Sequence, residues 1–306
     1  MCHSEMSSDL FRERSAMSST SDFTGEPSLP RIRPPANALA ELARPDGSAT
    51  LPVITYSRYG DLILMHFNSR WDIGQGCMQI SDPDWIALDI AQQMMGWMLF
   101  NERPAHIVQL GLGAATLTKF CYRHFPDARV TAVELNPAVV DACQAVFQLP
   151  ADNQRLSVIL MDALDFVSNS SNTGQIDVLQ VDLYEESADG PALDTAEFYA
   201  ACAQCLAPQG IMTVNLCGVS IDDIRQRNLD AMRDSFETIL FFRTCGSNVV
   251  AIAFKSAPIV DVEALAERAL CIERCTRLPA GTWLPDMMPA CVEQEPRRNV
   301  FTAPAT

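Results

Sequence analysis

The sequence lacks any apolar run of the roughly 18–20 residues that a membrane-spanning helix needs. Its opening, "MCHSEMSSDLFRERS", has no continuous apolar stretch of the kind a secretory signal carries. Both absences predict a soluble, cytoplasmic protein with no membrane partner. Net positive charge is missing too: the formal charge is −16 over 306 residues. Nucleic-acid affinity rests on Lys and Arg neutralising phosphates, so the charge argues against nucleic acid and would attract a cationic small molecule. No internal repeat is present. Cysteine is plentiful, eleven in all, but a metal frame is not. Cys202 and Cys205 have CxxC spacing with no second pair at zinc-site distance. Cys121, Cys143, Cys202, Cys205 and Cys271 fall inside helical apolar patterns, and Cys275 follows Cys271 by one turn. Both groups are read as small core hydrophobes, and no metal is expected.

What the chain does have is apolar content, 48%, enough for one large core or two modest ones. Residues 1–50 are rich in Ser, Pro, Ala and charge without a period, which predicts a disordered or loosely docked lead-in. In 51–82, "LPVITYSRYGDLILMHF" reads as two strands around a turn at Arg58 to Asp61, and "GCMQIS" as a third. Such a β-unit is too small to stand alone. From 83 to 260 a helical pattern, "DPDWIALDIAQQMMGWMLF", precedes a long alternation. Asp82 or Asp84 would cap that helix, with Pro83 in its first turn.

Seven near-continuous apolar runs then alternate with helical patterns at 114–124, 137–147, 194–206 and 221–234. Strands of that kind, with helices between them, predict a parallel sheet covered on both faces. The runs at 238–244 and 248–254 are separated only by "CGSN", which forces a hairpin and an antiparallel last strand. The expected fold is α/β: a doubly wound, seven-stranded Rossmann-like sheet preceded by the β-unit. A helix near 261–274 and a Pro-rich tail fill 261–306.

The chemistry gathers at strand ends, where open α/β folds bind ligands. "VQLGLGAATLTKF" places Gly111 and Gly113 in a tight strand-to-helix turn, where missing Cβ atoms permit close approach of a ligand. A plain βα turn explains a lone glycine pair equally well. The second strand, however, ends in Glu134, an acid placed to accept from ribose hydroxyls. A dinucleotide fingerprint would need a third glycine at 116, which is Thr116; the small Ala115 suits an adenosyl sulfonium instead. In "LMDALDF", Asp162 can accept from an adenine amine while the Ala163 N–H donates to the ring, or Asp162 can be an ordinary helix cap. The fourth strand, "IDVLQVDLYEESADG", ends in Asp182, with Tyr184, Glu185, Glu186 and Asp189 beyond it. Tyr184 and Trp85 are candidates to stack on a ligand. His106 and His124 read as structural.

These stretches, with "TAEFYAACAQCLAPQGIMTVNL", resemble the spermidine synthase (polyamine aminopropyltransferase) family over about residues 52–255, and more broadly the class I S-adenosylmethionine methyltransferase fold. The resemblance implies decarboxylated S-adenosylmethionine, or S-adenosylmethionine itself, as co-substrate. It implies an amine such as putrescine as acceptor. Gly111 and Gly113 match the glycine motif, Glu134 the ribose acid and Asp162-Ala163 the adenine-binding pair. Asp182 matches the proton acceptor. Glu185 falls where a second acid helps to hold the amine, and Gln79 on a glutamine of the substrate-side strand. Glu185 would also raise the Asp182 pKa by repulsion. Members often form dimers or tetramers, so a homodimer is among the partners implied. The chain departs from the pattern at Ala114, where the family has an ammonium-binding Asp, and at Leu88 and Asp89, where it has polar substrate contacts. Those departures keep two other readings open: a small-molecule methyltransferase, and a non-catalytic binding protein.

Overall fold

A computed structural model describes residues 42–43, 50–68, 70, 74–185 and 190–289. Most of the 1–50 lead-in, Glu186 and Asp189 therefore lie outside the described residues. Within the lead-in, Leu42–Ala43 pairs antiparallel with Thr50–Leu51.

The β-unit forms as the sequence predicts. Ile54–Tyr59 (β1) and Leu62–Phe67 (β2) make a two-residue hairpin, and Gly76–Gln79 (β3) pairs with β2. The helix expected from residue 83 is much shorter. An α-helix covers only Asp89–Met94 (α1) and tightens into a 3₁₀ turn over Met95–Leu99. Its N-cap is Leu88, with no side-chain cap. Asp82 and Asp84 are drawn away instead, pairing with Arg277 and Arg123. The Pro83 carbonyl accepts from the Lys119 ammonium at 2.7 Å. Trp85 is covered by the Arg277 guanidinium, 4.8 Å from its ring centroid.

The alternation then runs His106–Leu110 (β4), Thr116–His124 (α2), Arg129–Glu134 (β5), Pro137–Ala145 (α3), Leu156–Leu160 (β6), Ala163–Ser168 (α4) and Ile176–Val181 (β7). It continues with Ala196–Cys205 (α5), Leu206–Cys217 (β8), Ile221–Met232 (α6), Thr238–Phe242 (β9) and Asn248–Phe254 (β10). Val262–Thr276 (α7), Trp283–Asp286 (α8) and Met287–Pro289 (β11) follow. The strands form one sheet in the order β11-β9-β10-β8-β7-β4-β5-β6. Strands β8, β7, β4, β5 and β6 are mutually parallel, and β10 runs antiparallel between β8 and β9. The edge strand β11 is an addition to the seven expected; it pairs with β9 out of the Pro-rich tail.

β4 and β10 are buried along their whole length, as strands covered on both faces must be. One face packs against α2, α3, the 3₁₀ turn and α7 through residues such as Phe120, Val139, Trp97 and Ile272. The other packs against α4, α5 and α6 through Phe166, Tyr199 and Leu229. Cys121, Cys143, Cys202 and Cys205 are buried in these layers, whereas Cys271 is half-buried and Cys275 exposed, which corrects the core reading of that pair. His106 is a structural histidine: its ring nitrogens lie 3.2 Å from the Gln175 carbonyl and 3.1 Å from Thr131 Oγ1, and burial holds its pKa down to about 4. Among the described residues no helix is long and apolar enough to cross a membrane.

The chain winds outward from β4 through β5 to β6, then returns to lay β7 on the other side of β4. That reversal makes the crevice above β4 and β7 the topological switch point, the place where such sheets bind ligands.

Candidate active site

The glycine turn is shaped by close approach. Gly111 has φ +82°, and a Cβ there would sit 2.1 Å from the Asp182 carbonyl oxygen. Gly113 has φ +52°, with the Gln75 carbonyl 3.0 Å from where its Cβ would be. Ala115 also takes a left-handed conformation, φ 57°, as the N-cap of α2. The β-unit is pinned onto this turn: Thr116 Oγ1 donates to the Cys77 carbonyl at 2.8 Å, and a Cβ on Gly76 would lie 2.8 Å from the Ala114 nitrogen. The Cys143 thiol, reaching up from α3, donates to the Gly113 carbonyl at 3.0 Å.

Glu134 closes the next strand end. Its two carboxylate oxygens accept from the Leu112 and Asn136 N–H groups, each at 2.9 Å. Burial pushes its pKa up, and those backbone donors oppose the rise. At the third strand end Asp162 caps α4, accepting from the Leu164 N–H at 2.7 Å, with Ala163 buried behind it. The cap reading of Asp162 is thus present in the structure. The Met161 N–H donates to the Glu134 carbonyl at 3.0 Å and ties the two rims together.

Asp182 lies at the switch point. Its N–H donates to the Leu110 carbonyl at 3.0 Å, continuing the β4–β7 ladder by one residue. In the parallel register Val181 faces Val214, so the next residues, Asp182 and Asn215, meet. Asn215 Nδ2 donates to Asp182 Oδ1 at 2.9 Å. Asn248, from the antiparallel strand, donates through Nδ2 to Asn215 Oδ1 at 3.0 Å, and the Tyr184 hydroxyl donates to the Asn215 carbonyl at 2.6 Å. Burial raises the Asp182 pKa to about 6, and the Asn215 hydrogen bond opposes that rise. Burial, and not the expected repulsion from Glu185, is the largest cause of the rise.

One cleft collects much of this. It spans about 870 Å³ with its open mouth and is lined by Gln75, Gln109, Gly113, Asp182, Tyr184 and Asn215, with an apolar wall from α1. Of the anticipated residues, Gly113, Asp182 and Tyr184 line it. Gly111, Glu134, Asp162 and Ala163 stand on the adjoining strand ends without lining it. Gln79 does not reach it: its amide donates to Ser81 Oγ at 3.1 Å on the far end of β3. Glu185 is exposed and outside it as well.

Sequence reasoning missed Asn215, Asn248, Gln75 and Gln109. A signal for three central strands did exist. "QLG", "QVD" and "TVN" each put a polar residue two positions before the strand-end residue, and in register Gln109 faces Gln180, which faces Thr213. A polar stripe thus crosses an otherwise apolar sheet face, one step below Gly111, Asp182 and Asn215.

Comparison with known proteins agrees with this geometry. Residues 92–239 match the spermine/spermidine synthase domain model. A polyamine aminopropyltransferase of Chromobacterium violaceum is 31% identical over 222 residues, covering 72% of this chain and 83% of the relative. The human eEF1A lysine and N-terminal methyltransferase is 25% identical over 198 residues, 60% of this chain and 28% of the relative. Among solved structures, a probable spermidine synthase from Corynebacterium glutamicum superposes with a TM-score of 0.60 at 18% identity, covering 81% of this chain and 87% of that one. The identity to the Chromobacterium enzyme, sustained along most of both chains, carries the assignment: this chain belongs to the spermine/spermidine synthase family of polyamine aminopropyltransferases.

Proposed function

We propose that the protein transfers an aminopropyl group from decarboxylated S-adenosylmethionine to a primary amine, with Asp182 as the proton acceptor. The observation that carries this is the position and environment of Asp182, a carboxylate in the switch-point cleft with its pKa raised to about 6.

The strand ends suit an adenosyl sulfonium. The glycine turn offers backbone with no Cβ in the way. Glu134 uses one lone pair of each oxygen on backbone, which leaves capacity for ribose hydroxyls. Asp162 holds Leu164 through Oδ1, so Oδ2 serves an adenine amine.

An amine acceptor arrives as an ammonium, with a pKa of about 10. Asp182 must take its proton to free the lone pair. Raising the acid from 3.8 to about 6 narrows the mismatch by about 3 kcal/mol. The freed lone pair then forms the C–N bond as the C–S bond breaks, with that electron pair passing to sulfur. Methylthioadenosine leaves as a neutral thioether, and the product amine carries the charge. Asn215, fixed by Asn248 and Tyr184, keeps the Asp182 carboxylate facing the cleft, and such fixed alignment lowers the barrier.

Incubating the full chain with decarboxylated S-adenosylmethionine and a set of primary amines, including putrescine and monoamines, tests this. Methylthioadenosine should appear with at least one of them. None with any amine, from folded protein, contradicts the reading.

A methyltransferase reading is favoured by one observation: buried Ala114 stands where an acid would hold the donor's ammonium. If methyl transfer is the reaction, calorimetry should show S-adenosylmethionine binding more tightly than its decarboxylated form. The reverse ranking supports aminopropyl transfer.

A further inference from the structure

Gln109 is a polar residue in the interior of β4, a strand buried along its whole length. It is 3% exposed and lines the same cleft as Asp182. Its Nε2 donates to the Gly111 carbonyl at 2.9 Å, and that contact fixes the amide, because a flip would set two oxygens against each other. Its Oε1 is left with no partner. The adjacent amide does not supply one. Gln180 faces Gln109 across β4 and β7, but its Nε2 donates to Met95 Sδ at 3.2 Å and its Oε1 accepts from the Cys121 thiol at 3.6 Å. Buried polar atoms in native proteins are almost always paired, so a fixed, unpaired acceptor on a cleft points to a ligand that donates there. Gln75 Nε2, on the same cleft, is also unpaired, but it is a donor and offers nothing to an ammonium.

The aminopropyl donor carries a group that only donates. Its adenosyl half is assigned to Glu134 and Asp162, and its reactive carbon must face Asp182, so its propyl chain enters the cleft between the glycine turn and the end of β7. Those two segments meet at Gly111, where a Cβ would lie 2.1 Å from the Asp182 carbonyl oxygen, and Gln109 holds the Gly111 carbonyl from one step below. Ala114, in the same wall of the cleft, offers no side-chain acceptor. We propose that Gln109 receives the donor's propyl ammonium on Oε1 and so selects a donor that carries this group over one that lacks it. This rests on the aminopropyl-transfer reading and adds a specificity-determining residue to it. The ammonium keeps its protons throughout, and the bond changes are those given above: Asp182 takes the acceptor's proton, the amine nitrogen gains the aminopropyl carbon, and the sulfur keeps the C–S pair.

The test is calorimetry on the full chain with two sulfonium ligands: decarboxylated S-adenosylmethionine, and the analogue that carries propyl in place of aminopropyl. A site whose buried polar group pairs with a ligand group rejects the ligand that lacks it, so the wild type should bind the first at least about tenfold more tightly. In Gln109→Leu the acceptor is gone, and that preference should shrink to about twofold or less. A role confined to supporting the glycine turn would weaken both ligands together and leave the preference as it was, and that result overturns the inference. A wild type that binds the two ligands alike overturns it as well, and this comparison stands even where Gln109→Leu does not fold. Methylthioadenosine release with a panel of amines, measured beside the titrations, separates the two claims. Release without a binding preference removes the role of Gln109 and leaves aminopropyl transfer intact. Neither release nor donor binding, from folded protein, removes both.

Discussion

At the ends of β5 and β6 the acidic side chains bond to backbone: Glu134 to Leu112 and Asn136, Asp162 to Leu164. At the ends of β7, β8 and β10 the polar side chains bond chiefly to one another, Asn248 to Asn215 and Asn215 to Asp182. The first region is a rim assembled from local turns. Each acid there fixes backbone within its own strand-end segment or the adjacent one, and its conformation does not wait on distant side chains. The second is a network drawn from residues 182, 184, 215 and 248, and it exists only once the sheet order is set. We assign the first to donor binding and the second to proton transfer, so damage to one should leave the other readable.

The largest effect belongs to the contact between the two regions. Gly111→Ala puts a methyl group 2.1 Å from the Asp182 carbonyl oxygen at φ +82°. The left-handed conformation alone costs roughly 1–2 kcal/mol for a residue with a Cβ. Donor affinity should fall at least about a hundredfold, with a clear loss in the urea midpoint. An unchanged midpoint and donor Kd would mean that the β4–β7 approach does not hold the site together.

Glu134→Gln comes next. The amide nitrogen must face one of two backbone N–H donors, and losing a hydrogen bond to a charged group costs about 1.5–3 kcal/mol. Calorimetry should show donor affinity reduced by about tenfold or more, while the pH dependence of turnover stays where it was. A shifted pH limb would break the separation of the two regions.

Asn215→Ala should do the converse. The hydrogen bond from Asn215 holds the Asp182 pKa down against burial. Removing it raises that pKa further above 6, so the acid limb of kcat moves to higher pH and kcat at neutral pH drops by about tenfold, with donor Kd intact. Asn248→Ala, acting through Asn215, should move the same limb in the same direction by less, with about a threefold loss. A larger effect from Asn248 than from Asn215 would reverse the order of the network.

Much of the rim was legible in the sequence because its signals are local. A glycine turn, an acid at the end of an apolar run and an acid before a helix each declare themselves within a few residues. The network was not, because register decides it. Asn215 meets Asp182 only because Val214 faces Val181, and nothing in the linear sequence states that pairing. Gln79 and Glu185 do not line the cleft, because the resemblance fixes their order along the chain but not their distance from it. The helix before the sheet was overextended because the apolar spacing of 85–95 continues through a segment whose acids are taken by Arg277 and Arg123. The strand β11 was hidden in a tail whose prolines read as irregular.

The most direct test of Asp182 as the proton acceptor is the pH profile of kcat for the wild type beside Asp182→Asn, with donor affinity measured on both. A half-buried acid whose pKa is raised to about 6 is protonated and inactive below that value, so wild-type kcat should rise through about pH 6 and then level. In Asp182→Asn the donor should bind as before, the limb should vanish and kcat should fall by about a hundredfold or more. A variant that keeps the same limb and a comparable kcat would contradict the account.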